Sequence, residues 1–459
     1  MTMNNWKRDE KNVLTYGLAG PSYPLFAGTE KYVDNSFVAE FAGVYGMDAV
    51  RMWVPHMAEA RPDGNGGYVV TLMESKLNIL KDQVRRLKEQ GVKKIVACPT
   101  SHALMDDYPN YIGTDGKAYS MAQVRELQLT GGFRDYYAVP NPKTEPEAYE
   151  NFKKVQEEYF RVLSETIPDI NYFETINEPE FGGSVRPAGI WCNFPGWAKP
   201  EKHYDEATIA KICMDYCYAA TAGVRRAGQG AQVVSVALTG TEGGLSLLRE
   251  CYKYIGEQQD SDPDNYFAVL NWHPYVFYTY GTHGPVATVK NWDGWHEEWL
   301  KFQNDYYQVA VDAGDGDKPV WFTELGVTDC GRYNVEGDGW PTEGVVTEKM
   351  AAERLIKMLE LTKDRLPYVA TVFIFRITDR EDKIFPDRTM ERNFAYNYEA
   401  NFGLVERFDD CVSGEAALKE SGKAVYRLMK DGSEDYTSLY EMLNRHYDAY
   451  KKQLCNEID

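Results

Sequence analysis

NYFETINEPEFGG, residues 171–183, begins as an apolar run and ends in carboxylates, a proline and two glycines. The first half reads as a short buried strand. The second half cannot continue one, because Pro179 lacks the N–H that a strand ladder needs. Glu178 therefore stands where a strand runs out, a costly place to desolvate a carboxylate unless a counter-charge or a reaction calls for it.

The same pattern, an apolar or β-branched run ending in polar residues, occurs eight times. The runs are VLTYGLAG from Val13, DAVRMWVPH from Asp48, KKIVACPTSH from Lys93, INYFETINEPE from Ile170, QVVSVALTG from Gln232, FAVLNWHPY from Phe267, KPVWFTELGV from Lys318 and VATVFIFRITD from Val369. Amphipathic stretches separate them. In ESKLNILKDQVRRLKEQG, Leu77, Leu80, Val84 and Leu87 recur at helical spacing, and Gly91 follows where a left-handed C-terminal residue is expected. Alternating strands and helices predict an α/β chain. Eight repeats, with polar residues gathered where the strands end, favour a (β/α)8 TIM barrel over an open doubly wound sheet.

No linker or internal repeat breaks the 459 residues, so residues 1–459 read as one barrel domain with long βα loops. An extra amphipathic helix is expected within residues 433–459, packed on the barrel exterior. The longest loop, residues 103–146, follows the third strand and is rich in tyrosine. A loop of that length in a compact domain is usually functional.

With 50 Lys plus Arg against 70 Asp plus Glu, the formal charge of −20 repels polyanions, which argues against nucleic acid and anionic membranes as partners. No apolar leader or spanning stretch is visible, and the eight cysteines lack paired zinc spacing, so a cytoplasmic chain with free, buried thiols is expected. Cys213 and Cys217 share a helical face but have no further ligands near them in sequence. DAGDGDKP lacks the last glutamate of a calcium loop, and DGNGGY lacks the context of a phosphate loop; both read as turns. No cofactor or metal is expected. Nothing in the sequence bears on oligomeric state.

Glu178 ends the fourth run and Glu324 the seventh, and a closed barrel brings both to one mouth. Two carboxyl groups facing each other across a sugar are what glycoside hydrolysis requires, one protonated and one ionised. A lone strand-end glutamate is more often a salt-bridge partner; it is the pair, with Arg51 and the HPY of residues 273–275, that points to chemistry.

ETINEPE and VWFTELG resemble the strand-4 and strand-7 signatures of the clan A retaining glycoside hydrolases, among them cellulase-, mannanase- and β-xylosidase-type families. The resemblance spans the barrel from Arg51 to NFGLVERF. It implies Glu178 as general acid/base, Glu324 as nucleophile, Asn177 on the 2-hydroxyl of the sugar and Arg51 holding the nucleophile ionised; His273 and Tyr275 match the strand-6 segment as substrate-binding residues, with the tyrosine hydroxyl on the nucleophile. It also implies a glycone contact for His102. Glu174 matches a structural position, and Glu180 is expected to be hydrogen-bonded in its loop.

One departure is evident: where these families commonly place a tryptophan at the end of strand 8, this chain has FIFRITD. Phe375 offers a smaller platform, and Arg376 a cation for a substrate oxygen or carboxylate. Arg186, Arg332, Arg380 and Arg388 lie in similar segments, which leaves neutral and acidic sugars both open. Of the aromatic residues in the loops, Trp191 and Trp340 are candidate sugar platforms, with Phe194, Trp197 and YVFYTYG beside them in sequence.

The expected activity is that of a retaining O-glycosidase acting on a β-linked pyranoside, exo-acting on short oligosaccharides or glycosides. Endo action on a polysaccharide, transglycosylation and a non-catalytic carbohydrate-binding barrel are the alternatives.

Overall fold

The computed structural model describes residues 5–20, 35–54, 57–99, 102–112, 117–128, 138–181, 185, 204–275, 294–329, 347–379, 402–408 and 411–458. All eight expected runs form strands. They are β1 (Thr15–Ala19), β2 (Ala49–Val54), β3 (Lys94–Pro99), β4 (Tyr172–Glu174), β5 (Gln232–Val234, resuming at Leu238–Thr239), β6 (Leu270–His273), β7 (Val320–Leu325) and β8 (Val369–Phe375).

Neighbours pair in parallel in the order β4, β3, β2, β1, β8, β7, β6, with the two halves of β5 at the two ends of this row. Because those ends belong to one interrupted strand, the sheet closes on itself. Parallel bridges from Val234 to Val269 and from Asn177 to Ala237 stitch the closure. The result is an eight-stranded α/β barrel of the TIM type.

Helices α1 (Asn35–Tyr45), α2 (Glu74–Glu89), α3 (Pro146–Thr166), α4 (Glu206–Ala227), α5 (Glu242–Glu257), α6 (Trp295–Asp312), α7 (Glu348–Arg365) and α8 (Glu420–Met429) each follow one strand. In α2 the buried face is Leu80, Val84 and Leu87, with Leu77 packed against the core, and Gly91 turns the chain at φ 82°. Asp205, Thr241 and Thr347 cap α4, α5 and α7 by accepting backbone N–H groups of the first turn.

The extra C-terminal helix α9 (Thr437–Ile458) docks on α1: Arg445 donates to Glu40 at 2.5 Å, and the His446 ring meets the Phe37 ring edge-on at 5.0 Å. DGNGGY forms a turn, with Asp63 Oδ1 accepting from the backbone of Asn65 and Gly67. It joins Ala58–Pro62 to Tyr68–Leu72 as an antiparallel hairpin.

The period of two along each strand builds the site. One layer inside the barrel is apolar: Ala49, Val96, Tyr172, Val269, Trp321 and Phe373 pack together. Two residues further along the same strands come Arg51, Cys98, Glu174, Asn271, Thr323 and Phe375. An apolar plug thus carries a largely polar layer at the C-terminal ends of the strands.

Candidate active site

Arg51, fully buried, organises that polar layer. Its Nε donates to Glu174 Oε2 at 3.0 Å and its Nη2 also donates to Glu174, while Nη1 donates to Glu324 Oε1 at 2.5 Å and Nη2 to Asn177 Oδ1 at 2.7 Å. The guanidinium lies 4.5 Å from the centre of the Trp53 ring, which faces the same way on β2. Burial works against the charge on Arg51, but Glu174, Cys98 and Glu324 override it and raise its pKa well above the ordinary value. Burial likewise works against ionised Glu174, and Arg51 overcomes it to hold that carboxyl below the usual range. One cation shared by two carboxylates leaves a net negative charge at the mouth.

Glu324 reaches this point because β7 bulges. Phe322 pairs with Val372 and Leu325 with Ile374, so three steps on β7 match two on β8. Phe322 and Leu325 both pack outward in the main core, whereas Thr323 and Glu324 both turn to the barrel axis. A bulge re-aims side chains in this way beside many active sites. Gly326 lets β7 hug β8 just beyond, since a Cβ there would lie 2.2 Å from the Phe375 carbonyl oxygen. The second oxygen of Glu324 accepts from the Tyr275 hydroxyl at 2.8 Å. Burial and then the charge of Glu324 push the Tyr275 pKa well up, so the phenol remains a donor.

Glu178 follows β4 in the left-handed region at φ 44°, a conformation that non-glycine residues adopt only when held there. Its N–H donates to Ala237 O at 2.7 Å, and its Oε1 lies 2.7 Å from His273 Nδ1. Its side chain keeps 24% exposure against 7% for Glu324, so Glu178 is the carboxyl group closer to solvent. Burial favours a neutral His273, but Glu324 and then Glu178 outweigh it and raise its pKa. Oxygens of Glu178 and Glu324 lie within 4.8 Å of each other.

Glu178, His273 and Glu324 together are also a set with metal-ligand spacing. Each donor is already engaged, however: the Glu324 oxygens by Arg51 and Tyr275, and His273 Nδ1 by Glu178. The guanidinium beside Glu324 also opposes a second cation.

The structure thus brings Glu178, Glu324, Asn177, Arg51, His273 and Tyr275 together. It places His102 elsewhere: the ring is buried against Phe152 of α3 at 4.8 Å and Tyr216 of α4 at 5.1 Å, and burial pushes its pKa down to about 3. The expected glycone contact for His102 gives way to helix packing, because its ring turns to the layer between strands and helices.

Arg376 is buried behind Phe375, and its charge acts on Asp379. That carboxylate and Asp329 are bridged by Lys419, with contacts of 3.0 Å to each. Arg376 thus belongs to a buried ionic cluster that ties the segments after β7 and β8 to the start of α8. Trp191 and Trp340, with Arg186, Arg332, Arg380 and Arg388, lie outside the described residues.

Phe375 does stand at the mouth. Its ring is 6.2 Å from that of Tyr275 and 5.5 Å from that of Phe402. A Cβ at Gly20 would lie 3.4 Å from Trp53 Nε1 and 3.6 Å from Phe375, so the glycine keeps space open between two aromatic rings. Trp53, Asn271 and Thr323 are site residues that the sequence reading passed over. Their signal was the period of two: each lies two residues from another site residue or from the apolar plug.

Glu180 accepts from the Thr239 hydroxyl at 2.5 Å and from its N–H, as expected for a loop carboxylate. Burial raises its pKa to about 7, with Glu178 adding to the effect. A carboxyl raised in the fold is protonated there while already ionised in the unfolded chain, so its contribution to stability is full below about pH 4.5 and is lost as pH rises through about 7. Glu180→Gln keeps an acceptor for Thr239 and removes the titration. We expect the variant to be more stable than the parent at pH 8, by on the order of 2 kcal/mol, and equal to it at pH 4.5, as read by urea unfolding at the two pH values.

No family model matches the sequence, and no curated protein matches it either. The fold is nonetheless shared with solved structures. A monomeric β-xylosidase from Caulobacter crescentus CB15 superposes with a TM-score of 0.52 at 12% identity, over 92% of this chain and 69% of that one. β-Glycosidase BGL167 superposes at 0.50 and 15% identity, over 92% and 97%. The virulence factor SghA of Agrobacterium tumefaciens, solved with its substrate analog salicin, superposes at 0.50 and 14% identity, over 92% and 96%. At such identities the likeness establishes the barrel and its layout.

Proposed function

We propose that this chain is a retaining glycoside hydrolase that cleaves a β-linked pyranoside through a covalent glycosyl-enzyme on Glu324, acting from the chain end on short oligosaccharides or glycosides. The observation that carries the reading is the approach of the Glu178 and Glu324 oxygens to within 4.8 Å, with Arg51 and Tyr275 on one carboxylate and His273 on the other. Carboxyl groups about 5 Å apart suit direct attack on the anomeric carbon, whereas inversion needs about 6.5–9.5 Å to admit a water. Two β-glycosidic enzymes share the barrel, and the polar layer at its mouth supplies the two carboxyl groups that this chemistry needs.

In the first step Glu324 attacks the anomeric carbon while Glu178 gives its proton to the departing glycosidic oxygen. The C–O bond breaks and an acylal ester to Glu324 forms. In the second step Glu178, now a carboxylate, takes a proton from water as the water oxygen displaces Glu324 and restores it. Arg51 and Tyr275 hold the two oxygens of Glu324 in place for attack. The net negative charge of the Arg51–Glu174–Glu324 group stabilises the positive charge that develops on the sugar in the transition states before and after the ester.

Arg51 fixes the Asn177 amide by occupying its Oδ1, which presents Nδ2 to the sugar 2-hydroxyl. Trp53 and Phe375 offer the apolar surface that a strand-8 tryptophan supplies elsewhere.

Proton NMR of an active glycoside during turnover tests the reading. The β-anomer should appear first and mutarotate later, and single sugars should leave an oligosaccharide end. The α-anomer appearing first would refute retention. Internal cuts would replace exo by endo action.

A further inference from the structure

From Glu174 to Glu178 runs a directed chain of hydrogen bonds through Asn271, Thr323 and His273, residues that the reaction itself does not consume. Glu174 is buried, kept ionised by Arg51, and can only accept. Asn271 must therefore turn its Nδ2 toward Glu174 Oε2, 3.0 Å away, which leaves its Oδ1 as an acceptor. Thr323 Oγ1 lies 2.7 Å from that Oδ1, so its hydroxyl donates there. With its single proton given to Asn271, the hydroxyl oxygen can only accept from His273, whose Nε2 is 3.1 Å away. Nε2 accordingly carries a hydrogen. The nitrogen that gains and loses a proton is Nδ1, 2.7 Å from Glu178 Oε1. Asn271, Thr323 and His273 are all fully buried, so water does not compete for these positions.

We propose that Asn271 and Thr323 are positioning residues that lock His273 in the Nε2–H tautomer, so that Glu178 and His273 Nδ1 hold a single proton between them. The proposal rests on Glu178 being the acid/base of the reading above. With the proton on Glu178 the carboxyl is the acid. When Glu178 gives it to the glycosidic oxygen, the bare Nδ1 faces a new carboxylate, and the pair together is ready to take the proton that water releases in the second step.

The alternative tautomer would keep a hydrogen on Nδ1 and make His273 only a donor to Glu178. The charges around the ring set how tightly the shared proton is held. Glu178, Glu324 and Glu174 favour it, Arg51 from β2 opposes it, and the Tyr275 ring, edge-on at 6.2 Å, remains a neutral phenol. An imidazolium gains more than a neutral ring from the Thr323 acceptor, so removing that acceptor loosens the proton.

Nitrogen-15 NMR of the histidine rings in the full chain is the direct test, since only seven histidines contribute and His273→Gln identifies the resonance. In the wild-type protein, above the pH at which the pair loses its proton, the His273 Nε2 shift should be that of a protonated nitrogen and the Nδ1 shift that of a bare one. Thr323→Val, close to isosteric, should mix the two tautomers. It should also move the alkaline limb of kcat down by about one pH unit, the size of one charge-assisted hydrogen bond, while KM holds. Thr323→Ser should restore the shifts and the limb.

A wild-type His273 protonated at Nδ1 alone would overturn the proposal, and that spectrum needs no variant to fold. So would Thr323→Val leaving tautomer and limb unchanged. If the ring shows the Nε2–H signature and responds to Thr323→Val, but no glycoside is turned over, the lock stands and the hydrolase reading fails.

Discussion

Glu324→Ala will lose glycoside turnover by roughly 10⁴-fold or more, because the covalent intermediate then has no carboxylate on which to form among the described residues facing Glu178. The variant should fold. Arg51 keeps its contacts with Glu174, so the buried cation remains paired, and Tyr275 loses one acceptor at a mouth open to water. Adding azide should restore part of the rate with an activated β-glycoside. The anion enters from the face that Glu324 occupied, so the product should be the α-glycosyl azide. Kinetics and product NMR on the same sample check both statements. Unassisted turnover near the wild-type rate would remove Glu324 from the mechanism.

The second large effect belongs to Glu178. With a sugar or alkyl leaving group, Glu178→Ala should cost about 10²- to 10⁴-fold, the usual worth of general acid catalysis. With a dinitrophenyl leaving group, which departs unprotonated, the first step should proceed almost unchanged. The second step then lacks its base, so the sugar accumulates on Glu324 and a burst of phenolate precedes slow turnover. Azide should accelerate that second step and give the β-glycosyl azide, because it attacks the ester from the side opposite Glu324. The two variants with one anion thus yield opposite anomers. The same anomer from both would contradict the assignment of roles.

The barrel was legible because its physics is periodic. Eight runs of apolar and β-branched residues, each followed by an amphipathic stretch, admit few other arrangements, and the structure forms all eight strands. The fifth strand breaks between Val234 and Leu238, a local irregularity that its apolar composition does not signal. Glu178 and Glu324 stood out because ionisable residues at strand ends are costly.

The rest of the site depends on orientation, which a residue type does not carry. Thr323 and Glu324 are neighbours that strict alternation would place on opposite faces, and only the bulge in β7 puts both at the axis. His102 carried the right chemistry at a strand end, yet its ring turns outward to Phe152 and Tyr216. Trp53 lies in DAVRMWVPH two residues after Arg51, so strand alternation puts both on one face. Its stacking beneath the guanidinium is a contact between side chains that neither residue announces alone.

Whether Glu324 bonds to the sugar is decided by trapping that bond. The protein would be incubated with a panel of activated 2-deoxy-2-fluoro glycosides, weighed intact by mass spectrometry, digested and mapped. One fluoroglycosyl adduct per chain is expected with a fitting glycone, on the peptide containing Glu324, and none in Glu324→Gln. An adduct on another carboxylate, or one that persists in Glu324→Gln, would contradict Glu324 as the nucleophile.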